Sequence, residues 1–171
     1  MANKKAQMME LPFQLIFSII LIAVFLYAAI VGIRYFMERG EQMQVGQFLS
    51  DLKSDVNLVW QATEKSNDYS FNLPAKVQKV CFADLNSVYY NRTVCPDFEF
   101  YKEAAKAQGS NVFFCPPESV YKTGAPVFYK IDCDGIDCLK FSKQPYCIQN
   151  VKGSFKVHLE KKLGNPNVML S

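Results

Sequence analysis

Six cysteines, three clustered aspartates and a lone histidine are the residues whose chemistry stands out in this chain. Cys81, Cys95, Cys115, Cys133, Cys138 and Cys147 form an even set confined to the latter part of the sequence. Structural zinc wants matched close pairs such as C-x-x-C. The nearest pair here, Cys133 and Cys138, is spaced C-x4-C, has no counterpart, and is accompanied by one histidine. The set therefore reads as disulfides, which form in oxidising extracytoplasmic compartments, with the connectivity open. Cys133 and Cys138 share a face of an expected hairpin but lie diagonally across it, so each is expected to pair elsewhere.

The aspartates stand in Asp132-Cys133-Asp134-Gly135-Ile136-Asp137-Cys138. A two-residue turn at Asp134-Gly135 sets Asp132 opposite Asp137, with Asp134 close by. Facing carboxylates repel unless a cation lies between them. Calcium suits three carboxylates and some carbonyls; the alternative is screening by Lys130 or Lys140. No G-x-S-x-G, P-loop or H-E-x-x-H motif occurs, and His158 alternates with apolar neighbours in a way that puts it on a solvated strand face. The expectation is a protein with no catalytic residues and no cofactor other than that calcium.

The elements that must position these residues begin with an apolar run at 11–33, which carries no ionised side chain. As a helix it spans roughly 34 Å, slightly more than the ~30 Å hydrocarbon core of a bilayer. A cleaved secretory signal has a shorter apolar region and a small-x-small site, which Ile30-Val31-Gly32-Ile33-Arg34 does not offer. The run therefore reads as a retained transmembrane helix. Lys4 and Lys5 precede it and favour a cytoplasmic N-terminus. The cysteines and the Asn91-Arg92-Thr93 sequon, which would carry a glycan on Asn91, favour an extracytoplasmic C-terminal region. A formal charge of +3 in 171 residues is too balanced for a nucleic-acid footprint.

Beyond the bilayer the helical period continues. Val45, Phe48, Leu49, Leu52, Val56 and Val59 form one apolar stripe opposite Glu41, Gln44, Gln47, Asp51, Lys53 and Asp55. One helix from Leu11 to about Ala62, or two halves meeting near Gly40–Gly46, is expected, ended by the turn residues Ser66-Asn67-Asp68. Strands follow at 69–74 and 76–82, the second pairing with 85–94. Residues 98–107 fit a short helix or a strand equally well, and 111–115 is strand-like. Hairpins are expected around Asp134-Gly135, joining 127–133 to 136–141, and around Lys152-Gly153, joining 146–151 to 154–161. The tail from Leu163 carries Gly and Pro and is expected to be loosely ordered.

The result is an α+β chain: a leader at 1–10, a transmembrane helix at 11–33, an amphipathic extension at 34–66, and an antiparallel, β-rich, disulfide-bonded head at 67–171. The outer stripe is expected to pack on the head's sheet, and the inner half to face lipid or other helices.

This layout resembles that of type IV pilins, and Lys4-Lys5-Ala6-Gln7 resembles the site of archaeal class III signal peptides. The resemblance implies processing by a prepilin peptidase at Lys5, Ala6 and Gln7, with the apolar helix kept on the mature protein. It implies other pilin-like subunits as partners, in a surface filament or related assembly. It also implies that Glu10 neutralises a neighbouring subunit's amine. A cut after Ala6 makes Glu10 the fourth residue, one short of the family's fifth. Apart from that resemblance, Glu10 beside Pro12 near a helix N-terminus suits the helix dipole in any single-pass protein. The rival reading is such a protein, with a surface domain that binds a ligand and does not assemble.

Overall fold

In a computed structural model, residues 4–85, 95, 98–121, 127–143 and 145–171 are described. Helix α1 runs Lys4–Gln61 without a break at Gly40 or Gly46, because no proline interrupts the hydrogen-bonded ladder beyond its first turns. Contacts divide the chain into two compact units, Met1–Arg39 and Gly40–Ser171. The helix is long and apolar enough within Gln14–Gln61 to cross a membrane.

In the second unit, β1 (Lys65–Asn72), β2 (Lys79–Phe82), α2 (Phe98–Ala107), β3 (Val112–Cys115) and α3 (Glu118–Tyr121) come first. They are followed by β4 (Phe128–Tyr129), β5 (Leu139–Phe141), β6 (Tyr146–Gln149), β7 (Ser154–Lys161) and β8 (Val168–Leu170). Among the described residues the strands form two four-stranded sheets, ordered β1-β7-β8-β5 and β4-β3-β2-β6. All pairings are antiparallel except β5 with β8. Residues 98–107, which the pattern left open, are helical. Residues 86–94, expected to pair with β2, lie outside the described residues; β2 has β3 on one edge and β6 on the other.

The α1 stripe closes the core. Val45, Phe48, Leu49, Leu52, Val56 and Val59 are all buried, as the spacing requires. Phe48 meets Phe71 of β1 and Phe155 of β7 edge-on, with centroids 5.4 and 5.3 Å away, and Phe114 of β3 at 6.0 Å. One side chain thus touches both sheets. Burial of each such residue is worth roughly 1.5–3 kcal/mol, which is why residues 45–59 belong to the head's core. Polar contacts fix the helix further. Glu41 pairs with Lys76, Trp60 donates from its indole to the Pro166 carbonyl at 3.0 Å, and Lys161 donates to the Trp60 carbonyl.

The second sheet is covered on both faces. Val80, Phe82, Val112 and Phe114 face the main core. Their alternating neighbours Cys81, Phe113 and Cys115 form a smaller cluster with Ala105 of α2. Asn111 acts as a buried strand partner. Its side-chain amide donates to the Ile131 carbonyl at 2.7 Å, and its oxygen accepts from the Ile131 N–H at 2.8 Å.

Three expectations are corrected. Ser66, Asn67 and Asp68 do not form a turn; they lie in β1, where Asp68 stands opposite His158 and the whole strand pairs with β7. The tail is not loose. Val168 and Leu170 are fully buried because β8 fills the slot between β7 and β5, while the Gly164 and Pro166 region makes the turn that delivers it. The two expected hairpins exist only at their tips. Asp134 and Gly135 have φ of 49° and 81°, and Lys152 and Gly153 have 54° and 87°, as type I′ turns demand. Only Cys133↔Ile136 and Val151↔Ser154 bridge. Beyond these tips the arms diverge, β4 and β6 into one sheet and β5 and β7 into the other. Each turn is a crossover between sheets.

Candidate functional site

Among the described residues the exposed large apolar side chains are concentrated on α1. From Leu15 to Met37 its large side chains stand open on every face of the helix: Phe25 is 70% exposed, Tyr27 72% and Phe36 78%. The buried stripe begins only at Val45. The exposed stretch is long and apolar enough to cross a membrane, and none of its most apolar part is buried. Lys5, Ala6, Gln7 and Glu10 lie on the first turns of α1; their side chains, and Asn91, are outside the described residues.

Every cysteine is oxidised. Cys81 bonds Cys147, its direct register partner on β6, across 4.0 Å between Cα atoms. Cys95 bonds Cys115. Cys133 bonds Cys138, with Cα atoms 5.7 Å apart, which corrects the expectation that they pair elsewhere. The diagonal geometry assumed a continuing ladder; the chain leaves the hairpin after Ile136 and turns Cys138 back toward Cys133.

The acidic cluster does not assemble as calcium would require. Among the described residues no three His, Cys, Asp or Glu side chains converge on one point. Asp132 is turned instead toward Lys53 of α1, whose ammonium donates to it at 3.1 Å. That bond holds the Lys53 ammonium above its ordinary titration range, with burial opposing it. Asp134 and Asp137 stay in solvent, where their repulsion is screened. A helix partner distant in sequence supplies the counter-charge assigned to Lys130, Lys140 or a metal ion. Two residues further along α1, burial raises the Asp55 carboxyl above its ordinary range, and Asp51 adds to this against a smaller pull from Lys65.

His158 lies on the wet face as expected, but not alone. Its Nδ1 is 2.6 Å from the Asp68 carboxylate and its Nε2 is 3.1 Å from the Ser66 hydroxyl. Ser66 and Asp68 share a face of β1 through the two-residue strand period, and register brings His158 between them. The connectivity matches that of a serine–histidine–aspartate relay. The setting does not. The Asp68 side chain is 85% exposed, the serine sits within a paired strand, and none of the three principal cavities is lined by any of the three residues. These contacts serve as a cross-strand clamp. No sequence signal placed Asp68 on a strand, so the trio was invisible until the register was known.

A concavity of about 240 Å³ lies elsewhere, where the end of α2 meets the Lys130 segment and β5. Sequence reading did not find it, because its lining is drawn from four separate stretches. No protein-family model, curated protein or solved structure matches this chain.

Proposed function

We propose that this protein is a membrane-anchored, pilin-like structural subunit. Its apolar helix packs with copies or relatives in a surface filament or related assembly, with the N-terminus cytoplasmic and the disulfide-bonded head outside. The observation that carries this reading is the division of α1: residues 45–59 bury one stripe against the head, whereas 15–37 expose apolar side chains all round. A helix used only within its own domain would show one apolar face throughout. The three disulfides support an extracytoplasmic head. On this reading a prepilin peptidase removes the short basic leader, and Glu10 answers a neighbour's amine near the start of the mature helix.

Mass spectrometry of the protein from its native membrane tests the reading, together with cross-linking in intact cells. A mature N-terminus at Gln7 or Ala6, with cross-linked ladders abolished by Ile20→Lys, is the expected result. An intact Met1 or Ala2 on a chain that cross-links to no copy or relative refutes it and leaves a single-pass anchor carrying a non-assembling surface domain.

A further inference from the structure

We propose that heads join edge to edge, with β5 of one copy adding to β1 of the next as a parallel strand, so that the first sheet continues from copy to copy. This inference rests on the filament reading and names the surface the heads use in it. Strands β1 and β5 end the first sheet, each with one neighbour, and among the described residues no backbone hydrogen bond reaches the outer edge of either. The edge of β1 is eight residues long, whereas the edge strands of the second sheet, β4 and β6, have two and four. From Ser66 to Asn72 it carries no lysine or proline, the residues that commonly blunt an edge of such length.

The hydrogen bonds already made show which groups face outward. His158 of β7 donates to the Ser171 carbonyl at 3.2 Å and accepts from the Ser171 N–H at 3.1 Å, so both its backbone groups point away from β1. Its register partner Asp68 therefore turns its own N–H and C=O to the open edge. By the two-residue period Ser66, Ser70 and Asn72 do the same. On β5, the Cys138 carbonyl accepts from the Val168 N–H at 2.8 Å. That residue and Lys140 thus face β8, and Leu139 and Phe141 present their backbone groups outward. A row of alternating donors and acceptors is matched by another strand edge.

Direction and charge select a second copy as that strand. β1 is antiparallel to β7, β7 is antiparallel to β8, and β8 is parallel to β5, so the two open edges run the same way. Joining them leaves successive copies pointing alike, as chains anchored in one membrane must, and such a head-to-tail contact propagates into a filament. An antiparallel pair of two β1 strands would invert the second copy. Ser66, Glu160, Met169 and Lys140 are successive register partners in one row across the sheet. Carrying that row into the next copy sets Lys140 beside Ser66. There Ser66 lies between the outward groups of Leu139 and Phe141, the alternation a parallel ladder requires. Lys140 and the 85% exposed side chain of Asp68 then share the wet face as diagonal neighbours of opposite charge.

The test uses the full chain in its native membrane. The native cysteines are all paired, so engineered thiols are the only free ones. Neighbouring strands lie roughly 4.8 Å apart, inside the ~4.4–6.8 Å between Cα atoms that a disulfide spans. Ser66→Cys combined with Lys140→Cys, oxidised with copper phenanthroline, should give a non-reducing ladder of dimers, trimers and larger species. Asp68→Cys with Lys140→Cys covers a register shifted by two residues. Each single variant should stop at the dimer. Lys156→Cys with Lys140→Cys, which places one thiol on an exposed position of the inner strand β7, should give no ladder. Trp60 fluorescence verifies that each variant is folded. If an amine-reactive cross-linker gives ladders that Ile20→Lys abolishes, but neither edge pair gives a disulfide ladder, this junction is overturned and the filament reading stands. No ladder of either kind overturns both. An equal ladder from the Lys156 control reports random collision and also overturns the junction.

Discussion

Leu52→Ala is the sharpest probe of how α1 is used. Leu52 is fully buried in a cluster that joins residues of the helix and both sheets. Backbone on every side is held by sheet hydrogen bonds and disulfides, so the surroundings have little freedom to collapse into the space left. The cost should therefore fall in the upper part of the leucine-to-alanine range, about 3–5 kcal/mol. Against a domain stability of about 5–15 kcal/mol, that is a large fraction and should lower the melting temperature by roughly 10–15 °C. Trp60, the only tryptophan, lies on the same helix and donates to Pro166 at 3.0 Å, so its fluorescence reports release of the helix from the head. The control is Ile20→Ala, at a residue 55% exposed on the apolar segment, which should leave the unfolding curve in place. Guanidinium titrations of both full-length variants in detergent decide the matter. A loss under about 1 kcal/mol for Leu52→Ala, or equal losses at the two positions, would refute the assignment of residues 45–59 to the head's core.

Further outcomes follow from the same structure. Thiol counting under denaturing, non-reducing conditions should find no free cysteine. Removing the Cys81–Cys147 bond, which closes a 66-residue separation, should cost about 4 kcal/mol by loop entropy, against about 2 for Cys133–Cys138 with its separation of 5. Asn111→Ala should destabilise by about 2–4 kcal/mol in chemical denaturation, because it strands the buried N–H and carbonyl of Ile131. Asp55 is held above its ordinary value of 3.8, so the folded chain binds its proton at a pH where the unfolded chain has released it. Ionisation of Asp55 thus weakens the fold as pH rises from that value through the raised one in the folded chain. Asp55→Asn should accordingly raise the melting temperature slightly at pH 7, by less than about 1 kcal/mol of stability. That gain should vanish in thermal melts run at pH values below the ordinary carboxylate range.

Much of the long helix was legible because its signals are local. An unbroken apolar run marks a membrane-length segment, and the three-and-four spacing from Val45 to Val59 marks a buried stripe; both depend only on the helix's own geometry. The turn at Asp134-Gly135 was the more readable of the two, since Asp and Gly both tolerate positive φ, whereas at Lys152-Gly153 only the glycine does. The even cysteine count announced disulfides, but only the fold paired them. Neither the cavity beside β5 nor the Ser66–His158–Asp68 contacts had any sequence signature, because their members come from segments far apart in the chain.

What the amino-acid sequence determined by itself is therefore the division of labour along α1, the positions of the sharp turns and the need for an oxidised, β-rich head. The tertiary structure alone decided which strands meet. Strand pairing is set by long-range hydrogen bonds and by which faces are buried, so arms adjacent at a turn separate when each buries more surface in a different sheet. That choice sent β4 and β5 apart after a single bridge, folding Cys138 back on Cys133. It also drew a Gly- and Pro-bearing tail into the first sheet as β8, where full burial of Val168 and Leu170 outweighs the tail's weak local preference for any structure.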